Sequence, residues 1–290
     1  MNLVELGRRS PILGDGAMGT MLQERGLKIG RCPDVMNLEE PGLVGEVHRA
    51  YREAGSDYLE TNTFGANRLK LAAQGLGPRF EEIIRRGVDL ARDAAAGTCL
   101  VAGSVGPTGC LLEPYGDTPK EKVRDAFAEV ARVMDAAGID FFLIETMTDM
   151  NEALLAIAAA REASQRPIAA TAVFAKGAKG FRTMMGTPAD QAGAAMAAAG
   201  ADVVGTNCCS GTGEAAGIMQ AMIAGSPVAL LAQPNAGLPR MEAGKLVYPE
   251  TPSAMAAGVP GLLELGVRMI GGCCGTTPAH IRAMGAALGR

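Results

Sequence analysis

Residues 140–145 read Asp140-Phe141-Phe142-Leu143-Ile144-Glu145: four large apolar side chains in succession, closed by a carboxylate. A strand with one face in water alternates apolar and polar residues, so an unbroken apolar run describes a strand covered on both faces, as in a parallel sheet flanked by helices. Val228-Ala229-Leu230-Leu231 has the same texture. Working outward, eight such runs emerge: Pro11 to Asp15, Asp57 to Thr61, Cys99 to Ser104, Asp140 to Glu145, Pro167 to Phe174, Asp202 to Asn207, Pro227 to Gln233 and Arg268 to Gly272. Their starts lie 46, 42, 41, 27, 35, 25 and 41 residues apart. Such intervals hold one strand, one helix and two loops. Ala/Leu/Arg/Glu-rich amphipathic stretches fill them and carry their own punctuation. Asp149 and Thr277-Pro278 are helix starts, and Gly138, Gly200 and Gly266 stand where a left-handed helix stop is wanted. The pattern predicts an α/β chain folded as a single (β/α)8 TIM-type barrel over residues 1–290, although doubly wound sheets carry similar punctuation.

Composition narrows the function classes. The 290 residues are 48% hydrophobic and 20% charged, with 31 acidic against 27 basic side chains and a formal charge of -4. That composition supports a sizeable core. No Lys/Arg cluster offers the basic stripe that a nucleic acid needs, and no stretch of ~18 apolar residues is long enough to span a membrane. The opening MNLVELGRRSPILGDG sets its apolar residues ahead of Arg8 and Arg9, the reverse of an export signal. Seven cysteines in a chain of this length fit a reducing compartment. The expectation is a cytoplasmic protein with no nucleic-acid or membrane partner.

In a barrel the loops after the strands form the active face. Those loops contain Asp15-Gly16-Ala17-Met18-Gly19-Thr20, Thr61-Asn62-Thr63-Phe64, Ser104-Val105-Gly106, Glu145-Thr146, Asn207-Cys208-Cys209, Pro234-Asn235-Ala236-Gly237 and Cys273-Cys274-Gly275-Thr276. Cys208 ends the sixth strand, while Cys273 and Cys274 end the eighth, so three thiols should meet at the rim. Neighbouring strand residues point to opposite faces, so Cys273 and Cys274 can share a metal only where the backbone leaves strand geometry. Gly271, Gly272 and Gly275 allow that. Three thiolates with a fourth position open describe a catalytic zinc; a small buried Cys pair or a vicinal disulfide remains open on spacing alone.

Cys32, Cys99 and Cys110 read as ordinary thiols and Cys209 as a bystander. The match of Gly14 to Gly19 to a dinucleotide fingerprint lacks its acidic partner about 20 residues on, which leaves a turn whose amides suit a carboxylate, with Asp15 facing an ammonium. Glu145 either caps the next helix or meets a cationic ligand. His48 and His280 lie within helical patterns and read as helix-surface residues.

Taken together, the strand ends resemble a known family. Asp15-Gly-Ala-Met-Gly-Thr, Glu60-Thr-Asn-Thr-Phe-Gly-Ala-Asn, Gly103-Ser-Val-Gly-Pro-Thr-Gly, Glu145-Thr-Met-Thr-Asp, Gly205-Thr-Asn-Cys, Gln233-Pro-Asn-Ala-Gly-Leu-Pro and Gly271-Gly-Cys-Cys-Gly-Thr-Thr-Pro-Ala-His-Ile are similar to the homocysteine S-methyltransferase family. Within it they resemble the homocysteine-binding module of cobalamin-dependent methionine synthase more than the betaine or S-methylmethionine enzymes. The resemblance implies zinc on Cys208, Cys273 and Cys274, with homocysteine sulfur as the fourth ligand and methionine as product. It implies Asp15 and Glu145 at the substrate ammonium, with amides near Gly16 and Ala17 at its carboxylate. Asn235 would take the fourth zinc position before substrate arrives. The sequence ends at Arg290 without the Asp-x-His-x-x-Gly cobalamin motif, so a methyl-corrinoid on a separate protein is the expected donor. A small donor (betaine, S-methylmethionine or S-adenosylmethionine) and a non-catalytic homocysteine-binding module are the alternatives.

Overall fold

The computed structural model describes residues 9–28, 30–226, 228–242 and 245–290. Within them eight strands form one sheet: β1 Ile12–Leu13, β2 Tyr58–Glu60, β3 Leu100–Val105, β4 Phe141–Met147, β5 Ile168–Ala172, β6 Val203–Asn207, β7 Ala229–Gln233 and β8 Val267–Ile270. Their order, β1-β8-β7-β6-β5-β4-β3-β2, sets each strand beside its chain neighbours, and every pairing is parallel. Eight helices alternate with the strands: α1 Pro41–Glu53, α2 Phe80–Ala95, α3 Lys120–Ala137, α4 Met150–Ala163, α5 Ala189–Ala198, α6 Thr212–Ile223, α7 Pro252–Glu264 and α8 Pro278–Ala287. The fold is a (β/α)8 barrel. Gly138, Gly200 and Gly266 have φ of 91°, 111° and 81°, and Asp149 caps α4 by accepting from Asn151 N at 2.8 Å.

A side-chain device ties strand starts together. Asp57 N donates to Leu13 O and Leu13 N donates to Asp57 Oδ2, both at 2.7 Å, closing the seam between β1 and β2. Asp140 repeats this exchange with Val101 (2.8 and 2.7 Å), and Asp202 with Ile168 (2.8 and 2.9 Å). Each Asp also pairs with an arginine: Arg290, Arg92 and Arg161 respectively. A carboxylate thus satisfies a strand N–H where the ladder has run out of carbonyls.

The core has two layers. Ile12, Tyr58, Leu100, Ala102, Phe141, Leu143, Ala169, Val203, Leu231 and Met269 fill the barrel interior, where Tyr58 and Phe141 meet edge to face at 5.3 Å. The larger layer lies between strands and helices. No helix among the described residues is long and apolar enough to cross a membrane.

Several expectations need correction. β1 and β8 are shorter than the runs that announced them. The fifth run ends at Ala172, and the chain then turns into a rim hairpin, Ala175–Gly177 against Gly180–Arg182. His48 and His280 are buried. The short helix Gly19–Glu24 and α8 both pack on α1 and cover its flank. Burial pushes His48 down to about 4. His280 closes a capping box with Thr277 at the start of α8, and its Nε2 lies 3.0 Å from Glu250 O. Pro227, expected to open the seventh strand, and the first eight residues, read for an export signal, lie outside the described residues.

Candidate active site

The carboxyl ends of the strands open into a pocket of about 350 Å³. Its lining holds both thiols and carboxylates.

Cys208 follows β6 directly, with φ of 56°. Cys273 and Cys274 follow β8 after Gly271-Gly272. The three Sγ atoms lie within 4.8 Å of one another. The segment after β7 splints the two cysteine loops. Cys208 N donates to Gln233 O (3.0 Å), Cys273 N to Pro234 O (2.8 Å), Asn235 N to Cys209 O (2.9 Å) and Ala236 N to Cys274 O (3.0 Å). Gly275 ends the turn at φ 77°, with Tyr248 pressed so closely on it that a Cβ would lie 2.0 Å from the Tyr248 ring.

The thiols share charge unequally. Hydrogen bonds from Cys208 and Cys273 pull Cys274 down to about 3, while hydrogen bonding to its two neighbours, ahead of burial, holds the Cys273 thiol well up. Asn235 donates from Nδ2 to Cys208 O at 3.2 Å. Its buried Oδ1 has no partner among the described residues. Three soft sulfurs on splinted loops, with an unsatisfied amide oxygen beside them, fit a thiophilic divalent metal. Of the remaining cysteines, Cys209 is buried and hydrogen-bonds back to Gly211 O, Cys32 donates to Asp34 Oδ2 and Cys99 to Ser56 O; none joins the group of three.

The same pocket holds Glu145 and Glu60. Glu145 caps no helix, since Asp149 does that for α4. Ser104 Oγ donates to its Oε1 (2.5 Å) and Asn207 Nδ2 to its Oε2 (3.1 Å). Burial raises Glu145 to about 7, against the pull of the Ser104 hydroxyl. Gln233 Nε2 donates to Glu60. Burial, then the charges of Glu145 and Asp15, hold the Glu60 carboxyl well above the usual range.

Asp15 departs from the expectation. It is absent from the pocket wall and only 2% exposed. Its Oδ2 accepts from Glu60 N at 2.9 Å, and its Oδ1 is unpartnered. Burial raises its pKa, against the hydrogen bond from Glu60. Asp15 therefore stands behind Glu60. Ala17 departs in part: it lines the pocket, but its N–H already donates to Thr276 Oγ1 at 3.1 Å. The N–H groups of Gly16, Met18 and Gly19, also on the wall, have no acceptor among the described residues. No Lys, Arg or His among the described residues forms an ion pair with any of the three carboxylates.

Sequence reasoning passed over Glu60, Ser104, Asn207 and Gln233 as site residues, although strand parity could have found them. Tyr58, Ala102 and Leu231 face the barrel interior, so Glu60, Ser104 and Gln233, two residues on, face inward at the rim.

The (β/α)8 barrel thus joins, in one rim pocket, three thiols that could hold a metal ion and two carboxylates, Glu60 and Glu145, without an ion-pair partner among the described residues. A family model described as homocysteine S-methyltransferase matches residues 12–288. The chain belongs to this family, and with it to that enzyme class. It is 34% identical over 302 residues to methionine synthase of Mycobacterium tuberculosis (strain ATCC 25618 / H37Rv), covering 99% of this chain and 25% of that protein. The methionine synthase of Mycobacterium leprae (strain TN) is likewise 34% identical, over 304 residues, with 100% and 25% covered. The chain thus spans about a quarter of the length of these relatives. The metallated form of the homocysteine methyltransferase MmuM from Escherichia coli superposes with a TM-score of 0.82 at 26% identity, covering 98% of both chains. The apo form of MmuM gives 0.75.

Proposed function

We propose that this chain is a zinc-dependent methyltransferase that methylates the sulfur of homocysteine to give methionine, taking the methyl group from a methyl-corrinoid carried by a separate protein. The observation that carries the reading is the sharing of one pocket by three mutually close thiols and two carboxylates that form no ion pair among the described residues. Homocysteine has the matching ends, a thiol and an ammonium, with a carboxylate besides.

Cys208, Cys273 and Cys274 would hold zinc, with Asn235 Oδ1 as the further donor before substrate binds. Zinc bound there lowers the pKa of a thiol, so homocysteine sulfur is available as thiolate at neutral pH. Glu145 and Glu60 hold the substrate ammonium, and Asp15 adds its charge from behind Glu60. The amides of Gly16, Met18 and Gly19 receive the carboxylate. Tethered at both polar groups, the amino acid presents its sulfur to the rim. There the sulfur lone pair attacks the methyl carbon, a C–S bond forms, and the bond from carbon to donor breaks with its electron pair staying on the donor. The thiol proton leaves to solvent.

A protein-borne donor is favoured by the rim. The exposed large apolar side chains Leu111, Tyr115, Met184, Leu238, Met241 and Leu246 all lie on loops that follow β3, β5 and β7. Exposed apolar side chains on the segments after the strands are available there to a macromolecular donor. A small donor is the second reading, supported by the likeness to MmuM over 98% of both chains.

Metal analysis under reducing conditions tests the first step. One zinc per wild-type chain and less than a tenth of that in Cys273→Ser are expected; a zinc-free wild type sinks the metal reading. Methionine formation is then measured with methylated corrinoid protein, free methylcobalamin, betaine, S-methylmethionine and S-adenosylmethionine. The corrinoid protein should be fastest. Turnover with a small donor alone moves the chain to the corrinoid-independent reading, and homocysteine binding without any turnover to the binding-module reading.

A further inference from the structure

We propose that Asn207 is a positioning residue that couples the thiol half of the pocket to its carboxylate half, so that substrate grip and metal grip are set by one side-chain amide. The inference rests on the reading of the pocket as an amino-acid and metal site. Asn207 is fully buried at the end of β6, next in sequence to Cys208. Its Oδ1 accepts from Thr146 N (2.9 Å) and from Thr171 Oγ1 (2.8 Å). Its Nδ2 donates to Thr146 Oγ1 (2.7 Å) and Glu145 Oε2 (3.1 Å), and lies 3.9 Å from Cys273 Sγ. One amide therefore touches the Glu145 carboxylate, the Cys273 thiol of the loop after β8, and both the N–H and the hydroxyl of Thr146.

The backbone explains why such a clamp is required. Thr146 has φ of 61° and Cys208 φ of 56°. A β-branched residue in the left-handed region is costly and persists only where its surroundings hold it there. At Thr146 the register between β4 and β5 shifts, between Ile144 and Met147, so the irregularity adjoins Glu145, which strand parity from Leu143 turns inward. The two Asn207 bonds to Thr146 hold that irregularity. The same side chain leaves β6 one residue before the chain turns at Cys208. Releasing the amide frees both Glu145 and the Cys208 turn, from a side chain that borders the pocket yet is closed off from solvent.

The test uses the full-length wild type, Asn207→Ala, Glu145→Gln, the double variant Asn207→Ala/Glu145→Gln, and Asn207→Ala/Thr146→Gly. In the last, glycine accepts positive φ without a clamp, which also protects against loss of folding. Zinc affinity is read by chelator competition, homocysteine affinity by calorimetry on zinc-loaded protein, and backbone geometry by crystal structures without ligand. Asn207→Ala should weaken zinc and homocysteine binding by about tenfold or more each, whereas Glu145→Gln should weaken homocysteine binding alone. The variant Asn207→Ala/Glu145→Gln should bind homocysteine no worse than Asn207→Ala, and Thr146→Gly should restore part of both affinities. Zinc and homocysteine affinities within twofold of wild type in Asn207→Ala, or additive losses in the double variant, overturn the proposal. A wild type that binds neither ligand refutes the functional reading instead. The crystal structure then decides the inference: Thr146 leaving positive φ with Glu145 turned away supports it, and an unchanged Glu145 and Thr146 overturn it.

Discussion

Replacing Glu145 by Gln should stabilise the ligand-free fold at neutral pH while weakening substrate binding. The carboxyl is 7% exposed, and burial raises its pKa from 4.5 to about 7. A pKa raised by folding means that the native state holds its proton where the unfolded chain has lost it. The stabilising contribution is complete below pH 4.5 and disappears as pH rises through 7. At roughly 1.4 kcal/mol per pH unit, the wild type gives up about 3 kcal/mol relative to Gln across that window. Gln fits the same contacts: its carbonyl can accept from Asn207 Nδ2, and its amide can donate to Ser104 Oγ, whose hydroxyl rotates. Removing the charge also relieves Glu60, whose pKa Glu145 helps to raise. Urea unfolding of both proteins without ligand, from pH 4 to pH 8, gives the difference directly. The two curves should coincide at the acid end and separate to about 3 kcal/mol at pH 8, with Gln the more stable. Homocysteine affinity at pH 8 should meanwhile fall by a charged hydrogen bond, about 1.5–3 kcal/mol. Equal pH dependence, or a less stable Gln variant at pH 8, would show that Glu145 is not charged at a cost in the empty pocket, and would refute the account.

Two further outcomes test the scaffold. Asp140→Ala should lose about 2 kcal/mol in denaturant unfolding, because Val101 N loses the Asp140 acceptor at 2.7 Å and charge-assisted hydrogen bonds of this kind contribute roughly 1.5–3 kcal/mol; Asp140→Asn, which keeps an acceptor, should lose less than half as much. Gly275→Ala puts a Cβ at φ 77° and 2.0 Å from the Tyr248 ring, so it should weaken zinc binding at least tenfold in chelator competition by shifting the adjacent Cys274, while Gly261→Ala, in open space on α7, should leave it unchanged.

The barrel was legible because a closed parallel sheet demands apolar strands covered on both faces, and runs such as Phe141 to Ile144 have few other uses. The three cysteines were legible because strand ends gather on one face whatever their separation in sequence. The orientation of Asp15 was not legible, for a reason that the sequence does not display. β1 stops at Leu13, so strand parity no longer governs where Asp15 points, and its carboxylate turns back to Glu60 N. The histidines were misjudged because helix periodicity shows the face turned to the sheet but not what else packs on the helix. The short helix Gly19–Glu24 covers α1, and nothing within α1 announces it. Asn207 stood in the quoted motif, yet its five polar contacts join residues 36 to 66 positions away.

The electrostatics of the site follow from where the core ends. Along the strands, inward positions carry Tyr58, Ala102, Leu143, Ala169 and Leu231 in the apolar plug. Two residues later come Glu60, Ser104, Glu145, Thr171 and Gln233. The polar layer therefore rests on an apolar floor rather than on water, and even the hydroxyl of Tyr58 is buried without a partner. A carboxylate in that position is poorly solvated from below and opposed by its neighbours, so its charge is favourable only when a cation arrives from the rim. On the proposed reading, the physics that makes Glu145 a burden without a ligand is what would make it selective for an ammonium. An ammonium recovers the interaction energy that hydration would otherwise have supplied, and a neutral analogue of the same shape recovers none. The thiols follow the same logic with a softer partner, since the crowding of Cys208, Cys273 and Cys274 as thiolates is relieved by protons or by a metal. Placing both groups on one floor lets a single small molecule with an ammonium at one end and a sulfur at the other satisfy them together, which neither group would achieve alone.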